Sequence, residues 1–298
     1  MFKKFKKNSK KLQKYASEII PGTSQLFGKR PELYLPGGNW PTYYSKAKGV
    51  SVWGLDNKKY YDFTMVGIGT SVLGYSDPTI NKVAVKALNS SPMNTLNPPE
   101  DVELAEMLLK LHPWSEGVRF CRTGGESMSI AIRLARAYNK RDKILFCGYH
   151  GWHDWYLASN LKSTDELEEH LLPGLEPNGV PSSLINTIYP FKFNDLSGLK
   201  KIIEENQIGA IKMEVERSIK PQQNFLESIR EICDTKKILL IFDECTSGFR
   251  ETCGGLHLKY AVDPDLAIFG KALGNGYAIT SVIGKGEVMT AAQTSFIS

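Results

Sequence analysis

Five short apolar runs alternate with helical patterns along the last two thirds of the chain, and this alternation constrains the fold more than any other feature. The runs cover residues 118–121, 143–147, 210–213, 238–242 and 266–269, and the helical patterns include 101–111 and 224–235. Strands separated by helices usually pair in parallel and bury both faces of the sheet. The sequence therefore predicts an α/β fold with a largely parallel sheet. Polar residues that follow the runs should meet at one edge, where such folds bind ligands.

Two of these strand ends carry residues suited to one chemistry. Asp243 follows the run 238–242, and Lys271 lies in the segment 269–276 (FGKALGNG) after the last run. An uncharged lysine amine can condense with an aldehyde, and a carboxylate can keep a pyridine nitrogen protonated. Together they predict pyridoxal 5′-phosphate as the cofactor, with a Schiff base at Lys271 and Asp243 facing the ring nitrogen. Taken singly, a solvated lysine and a turn-capping aspartate are equally good interpretations.

A third strand end has the pattern of a phosphate site. The run 118–121 leads into Thr123, Gly124 and Gly125, and a helical pattern follows. Backbone amides at the start of a helix, aided by the helix dipole and a threonine hydroxyl, form an anion cradle that needs no lysine. These three residues are predicted to hold the cofactor phosphate. Strand, glycine pair and helix are also a common structural joint in α/β proteins.

The run 143–147 is followed by an aromatic residue and two histidines. Tyr149 and His150 lie just past the strand, at the edge where the cofactor is expected. Both are predicted to bind the cofactor, with Tyr149 stacking on its ring. Plain packing at the rim of the sheet is the alternative for Tyr149. His150 and His153 have no convincing ligand set beside them, so no metal site is predicted.

With these motifs in place, the chain resembles the class III aminotransferases of pyridoxal-phosphate fold type I, and within them the glutamate-1-semialdehyde 2,1-aminomutase-like branch. The resemblance extends from residue 34 to the end. Its carriers are residues 123–126 (TGGE), 132–136 (IRLAR), 148–151 (GYHG), 240–244 (LIFDE), 247–250 (SGFR) and 270–276 (GKALGNG). The first two segments belong to one motif and the fourth and fifth to another, so four ordered motifs at matching spacing make the resemblance specific.

The resemblance implies a role for each matched residue. Lys271 forms the bond to the cofactor and shuttles protons, Asp243 pairs with the pyridinium, and Tyr149 stacks on the ring. The segment 123–125 cradles the phosphate, and Glu214 matches a family glutamate near the cofactor. The resemblance also implies a homodimer with its sites at the subunit boundary.

Three positions depart from the family pattern. The family usually has Ser-Gly-Thr where this chain ends its cradle in Gly125, so a side-chain hydroxyl contact is lost. The usual Glu-Pro is replaced by residues 214–217 (EVER), in which Arg217 either binds a substrate carboxylate or is solvated. Trp40 stands where the mutases have a small residue. A bulky ring there is expected to narrow the substrate pocket and to favour a different acceptor.

The expected domain organisation has two parts. Residues 1–60 form an N-terminal segment with a β-hairpin whose turn contains Asp56 and Asn57, and residues 61–298 form the large domain that binds pyridoxal phosphate. The 298-residue chain is shorter than family members, so the C-terminal small domain is expected to be missing and the chain to be truncated. The region 157–184 loses the regular pattern and contains a stretch rich in proline and glycine at 173–181. It is predicted to be a lid over the site, with a plain connection as the alternative.

The predicted function is an aminotransferase that moves an amino group between an amino donor and a small aldehyde or keto acceptor, sugars included. The first alternative is an intramolecular aminomutase of the glutamate-1-semialdehyde type, which would need no second substrate. An alternative of another class is an inactive, truncated fragment that binds cofactor or dimerises. The length of the chain is the feature that supports this last reading.

Charge, cysteine usage and hydropathy limit the partners. Seven of the 37 basic residues fall among the first 14 residues, which leaves 30 basic against 32 acidic in the remainder, so binding to nucleic acid or a membrane surface is not expected. No stretch approaches the roughly 18 apolar residues of a membrane helix. The five cysteines have no C-x-x-C spacing. Reduced thiols and a cytoplasmic location are the expectation.

Overall fold

The chain divides into two compact units, Met1–Thr95 and Leu96–Ser298. The computed structural model describes residues 8–34, 40–91, 93–163, 166–167, 170, 176–216 and 218–297. The domain boundary expected at residue 60 stays a prediction.

The first unit contains a small antiparallel sheet and two helices. Its elements are α1 Ser9–Ile19, β1 Tyr44–Lys48, β2 Ser51–Gly54, β3 Lys59–Tyr61 and α2 Pro78–Ser90, with 3-10 helices at Phe27–Lys29 and Pro31–Leu33. The hairpin expected around residues 56 and 57 corresponds to β2 and β3, in which Val52 pairs with Tyr60. Asn57 takes a left-handed backbone with φ 64°, which asparagine tolerates better than most residues.

The second unit alternates strands with helices. Its strands are β4 Gly117–Cys121, β5 Lys143–Cys147, β6 Ile188–Pro190, β7 Ile208–Glu214, β8 Leu239–Glu244, β9 Leu266–Phe269 and β10 Thr280–Gly284. Its helices are α3 Pro99–Leu111, α4 Gly124–Asn139, α5 Asp154–Leu157, α6 Leu196–Glu205, α7 Phe225–Lys236, α8 His257–Tyr260 and α9 Gly286–Met289. Four 3-10 helices lie at Ala158–Leu161, Ser182–Leu184, Lys271–Gly274 and Thr290–Gln293.

The seven strands of the second unit form one sheet in the order β4-β10-β9-β8-β7-β5-β6. Neighbours from β9 through β6 pair in parallel, whereas β10 is antiparallel to both β9 and β4. All strands except β10 therefore end at the same edge of the sheet. The predicted α/β fold with a largely parallel sheet is confirmed, and the strand ends that carry the predicted site residues converge.

Apolar side chains cover both faces of this sheet. One cluster joins α4 to the face that carries Phe146, Ala210 and Ile241, and a second joins α6 and α7 to the opposite face. Every residue of β7 and β8 is buried, which explains why these strands have continuous apolar runs rather than alternating ones. The charged residues at the ends of these strands, Glu214, Asp243 and Glu244, are buried as well, and Lys212 is a fully buried lysine in the middle of β7.

Candidate active site

Lys271 lies immediately after β9, at the edge where the parallel strands end. It begins the 3-10 helix Lys271–Gly274 and has a left-handed backbone with φ 45°, which is uncommon outside glycine and asparagine. Its Nζ donates a hydrogen bond to Thr246 Oγ1 at 2.8 Å. Burial lowers the pKa of the Lys271 amine, and the nearby carboxylates of Asp243 and Glu214 oppose part of that shift. Burial thus favours the uncharged amine that condensation with an aldehyde requires.

Asp243 lies near the end of β8 and is held on both carboxylate oxygens. Its Oδ2 accepts a hydrogen bond from His150 Nδ1 at 2.7 Å and lies 3.6 Å from Lys212 Nζ, and its Oδ1 accepts from the backbone N–H of Cys245 at 3.0 Å. Burial alone would raise the pKa of this carboxyl, but Lys212 and His150 outweigh burial and lower the pKa to about 2. Asp243 is therefore an anion at neutral pH.

His150 is buried behind Asp243. Its ring is 1 % exposed, and its pKa is lowered to about 4 by burial and by Lys212, with Asp243 opposing the shift. Its Nδ1–H donates to the Asp243 carboxylate, and its Nε2 lies 3.1 Å from the carbonyl oxygen of Cys147. His150 orients the carboxylate of Asp243.

The predicted phosphate cradle forms the start of α4. Thr123 is the N-cap, and its Oγ1 accepts from the Glu126 N–H at 3.3 Å while the Glu126 carboxylate accepts from the Thr123 N–H at 2.9 Å. This reciprocal capping box leaves the first-turn amides of Gly124 and Gly125 outside the intrahelical hydrogen-bond ladder. Amides of this kind are suited to an anion.

Gly125 is enclosed by a histidine that the sequence did not link to it. A Cβ at Gly125 would lie 2.5 Å from Nε2 of His153, and the other ring nitrogen of His153 lies 2.6 Å from Ser129 Oγ. The imidazole therefore occupies the volume that a side chain at Gly125 would need. This explains physically why the cradle ends in a glycine rather than in a hydroxyl residue.

Tyr149 and Glu214 are brought together at the same edge. The Tyr149 N–H donates to Glu214 Oε2 at 3.2 Å, and Tyr149 is 39 % exposed. Glu214 ends β7 and pairs with Asp243 across the sheet. Gly148 has φ +110°, and a Cβ there would lie 2.4 Å from Glu214 Oε2, so only glycine fits this approach.

The two residues predicted to contact the substrate are not placed at this edge by any observation. Trp40 belongs to the first unit, where its ring stacks on Tyr34 with centroids 4.4 Å apart. Arg217 lies outside the described residues. Both substrate roles stay predictions, as does the lid, several residues of which also lie outside the described part.

Taken together, the residues of this edge fit pyridoxal phosphate. The half-buried amine of Lys271 matches the aldehyde of the cofactor, and the buried anionic carboxylate of Asp243 matches its ring nitrogen. The partly exposed Tyr149 matches the ring face, and the amides at the start of α4 match the phosphate. Among the described residues, no group of three His, Cys, Asp or Glu side chains is arranged to hold a metal ion. Sequence reasoning missed Thr246, Lys212 and the approach of His153 to Gly125. Lys212 was overlooked because it lies inside the run 210–213, which reads as apolar.

Comparison with known proteins identifies the family. The family described as aminotransferase class-III matches residues 35–296. The chain is 34% identical over 286 residues to a 3-aminobutyryl-CoA aminotransferase of Cloacimonas acidaminovorans (strain Evry), covering 92% of this chain and 64% of that protein. It is 33% identical over 283 residues to a glutamate-1-semialdehyde 2,1-aminomutase of Sulfurisphaera tokodaii, covering 90% of this chain and 66% of that protein. The chain belongs to the class-III aminotransferases.

A solved structure agrees with this assignment. The PLP internal aldimine form of the FumI protein from Sphingopyxis sp. MTA144 matches with a TM-score of 0.83 and 26% identity, over 97% of this chain and 67% of that chain. The predicted family resemblance and fold type I are confirmed, and pyridoxal phosphate is the cofactor of the family. The chain spans 64% and 66% of the length of the two curated relatives named above.

Proposed function

We propose that this chain carries the cofactor site of a pyridoxal-phosphate-dependent aminotransferase. The observation that carries the proposal is the pairing of a buried, ionised Asp243 on β8 with a half-buried Lys271 just past β9, the adjacent strand. The pKa of the carboxyl and the pKa of the amine are both lowered, which favours an anionic carboxylate and an uncharged amine. This is the charge arrangement that the chemistry needs. Neither group would be placed this way by packing alone, because burying each one costs free energy.

Each residue of the site has a separate role in this chemistry. Pyridoxal phosphate, when bound, supplies an aldehyde that condenses with amines and a ring that withdraws electrons from the substrate carbon. Lys271 would provide the amine that condenses with the aldehyde and would move protons at the substrate. The hydroxyl of Thr246 orients the Lys271 amine through its hydrogen bond. Asp243 holds the ring nitrogen, and His150 holds Asp243.

The remaining contacts fix the plane of the ring. The amides of Gly124 and Gly125 would bind the phosphate, and the partly exposed Tyr149 would stack on the ring. Glu214 fixes the backbone of Tyr149. Holding the ring in one plane keeps the bond that breaks aligned with the π system, which is worth several kcal/mol in orientation.

We propose an amino donor and a small aldehyde or keto acceptor as the substrates. An intramolecular aminomutase is the second candidate, and the 33% identity to a glutamate-1-semialdehyde 2,1-aminomutase supports it. The two are separated by supplying a single amino aldehyde without any second substrate. Turnover would identify a mutase, and a requirement for an acceptor would identify a transaminase.

Assembly and location are also proposals. We propose a homodimer, as the family resemblance implies, to be measured by light scattering of the purified protein. A cytoplasmic location is supported by the five free cysteine thiols, Cys121, Cys147, Cys233, Cys245 and Cys253. No helix in the described part of the chain is both long enough and apolar enough to span a bilayer.

The test of the proposed function is covalent capture. Wild-type protein mixed with pyridoxal phosphate should gain a visible absorbance band, and borohydride should then fix the cofactor on the peptide containing Lys271, as read by mass spectrometry. Lys271→Ala should abolish both signals. Lys110→Ala, at an exposed lysine of α3, is the matched control and should change neither. Labelling of wild type at other lysines but not at Lys271 would refute the proposal.

A further inference from the structure

Lys212 is the one fully buried lysine among the described residues, and the roles assigned above do not use its charge directly. It pairs with Phe146 on β5 and with Ile241 on β8, both of which have no exposed surface. Paired side chains point to the same face of a sheet, so the lysine stem lies between two apolar neighbours. Its Nζ has no hydrogen-bond acceptor within the described part of the chain. An ammonium in such surroundings is costly unless a counter-charge is near.

The counter-charge nearest to Lys212 is Asp243. Nζ lies 3.6 Å from Asp243 Oδ2, the same oxygen that accepts from His150. The other titratable groups that interact with Lys212 are His150, which shares Asp243 Oδ2, Glu214 on its own strand, and the thiol of Cys245. Burial lowers the pKa of Lys212, and Asp243 opposes that shift most strongly. Lys212 therefore depends on Asp243 for whatever charge it keeps.

We propose that Lys212 is the internal counter-cation of Asp243. The Lys212 ammonium keeps the Asp243 carboxylate ionised and weakens the attraction of that carboxylate for a protonated ring nitrogen. The inference rests on the proposed function, because it assigns the ring nitrogen to Asp243. A protonated ring nitrogen would be a second cation competing for one carboxylate. The cofactor ring in this protein accordingly gives up its nitrogen proton more readily than it would beside an aspartate paired with His150 alone. Lys212 thus acts as a positioning and tuning residue, not as a group that touches the substrate.

The test measures the ring nitrogen itself. Pyridoxamine phosphate labelled with ¹⁵N in the ring is bound to wild type and to Lys212→Met, and the ¹⁵N chemical shift is followed against pH. Removing one unit charge within several ångströms should raise the midpoint of deprotonation by about one pH unit in Lys212→Met. Lys143→Met, at a lysine of β5 that bonds to Asn206 Oδ1, is the control and should leave the midpoint unchanged. An equal or lower midpoint in Lys212→Met would overturn the inference.

A measurement without cofactor examines the ion pair separately. Thermal unfolding is compared for wild type, Lys212→Met, Asp243→Asn and the double variant. Asp243→Asn should lower the unfolding temperature more when Lys212 is present than in the Lys212→Met background, because it leaves an uncompensated buried ammonium. Additive shifts would overturn the pairing. Failure of wild type to bind the cofactor would refute the proposed function and, with it, the ring-nitrogen role, whereas an unchanged ¹⁵N midpoint refutes the tuning role alone.

Discussion

Replacing Gly148 with alanine tests how the site is built, because two separate effects disfavour the added methyl group. Its φ of +110° is a conformation that side chains rarely adopt, and an alanine Cβ would lie 2.4 Å from Glu214 Oε2 and 3.1 Å from Cγ and Cδ of the same side chain. Backbone strain of this kind costs about 1–3 kcal/mol. Overpacking against a side chain that is 7 % exposed adds about 1–3 kcal/mol, since Glu214 must move by about 1 Å.

The Gly148→Ala variant is therefore expected to lose about 2–6 kcal/mol in the free energy of unfolding. Glu214 would also lose its hydrogen bond to the Tyr149 N–H, so affinity for pyridoxal phosphate should fall. Urea unfolding of the cofactor-free protein measures the first effect, and titration with cofactor measures the second.

Gly179→Ala is the matched control, because Gly179 has φ +86° and a Cβ there would have nothing within 4 Å. It carries the backbone strain without the overlap. A loss in Gly148→Ala no larger than in Gly179→Ala would refute the reasoning that the Glu214 approach excludes a side chain.

Three further results are expected. Asp243→Asn should retain cofactor but lose roughly 100-fold or more in turnover, because the ring nitrogen loses its anionic partner; full activity in a steady-state assay would contradict the assignment. Gly125→Ala should displace the His153 ring and weaken binding of inorganic phosphate to the cofactor-free protein, whereas unchanged affinity by calorimetry would show that the cradle does not need this glycine. Burial lowers the pKa of His112 below 6.5. As the pH falls below 6.5, His112 therefore binds a proton more readily in the unfolded chain than in the folded chain. Stability measured by tryptophan fluorescence should therefore fall in that range, and His112→Asn should reduce the pH dependence; identical profiles would exclude His112 as a contributor.

The strands that place the site were predictable because their signal is local. The runs 143–147 and 266–269 coincide with β5 and β9, and the helical pattern 224–235 differs by one residue at each end from α7 Phe225–Lys236. Parallel strands end at one edge, so Asp243 and Lys271 could be expected to converge there from the sequence alone. Strand β10 was missed, and it is the element that makes the sheet mixed rather than purely parallel.

The contacts that tune the site were not predictable, because they depend on tertiary distances. His153 has no sequence relation to Gly125, 28 positions earlier, and only the fold brings its ring to the position of a Cβ. Lys212 lies in a run that reads as apolar, and a lysine there would ordinarily be expected to reach solvent. Its link to Asp243 appears only once β7 and β8 are in register.

Strand β4 has a consequence for the order in which the site is assembled. In the seven-stranded sheet of the described residues, β4 lies at the edge and pairs with β10 alone. The Thr280 hydroxyl of β10 also donates to the carbonyl oxygen of Thr123, at the start of the cradle. Residues 117–121 therefore cannot join the sheet until residues 280–284 have emerged from the ribosome. The phosphate cradle, encoded early, is among the last parts of the site to be completed, and closing that long loop makes its formation slow.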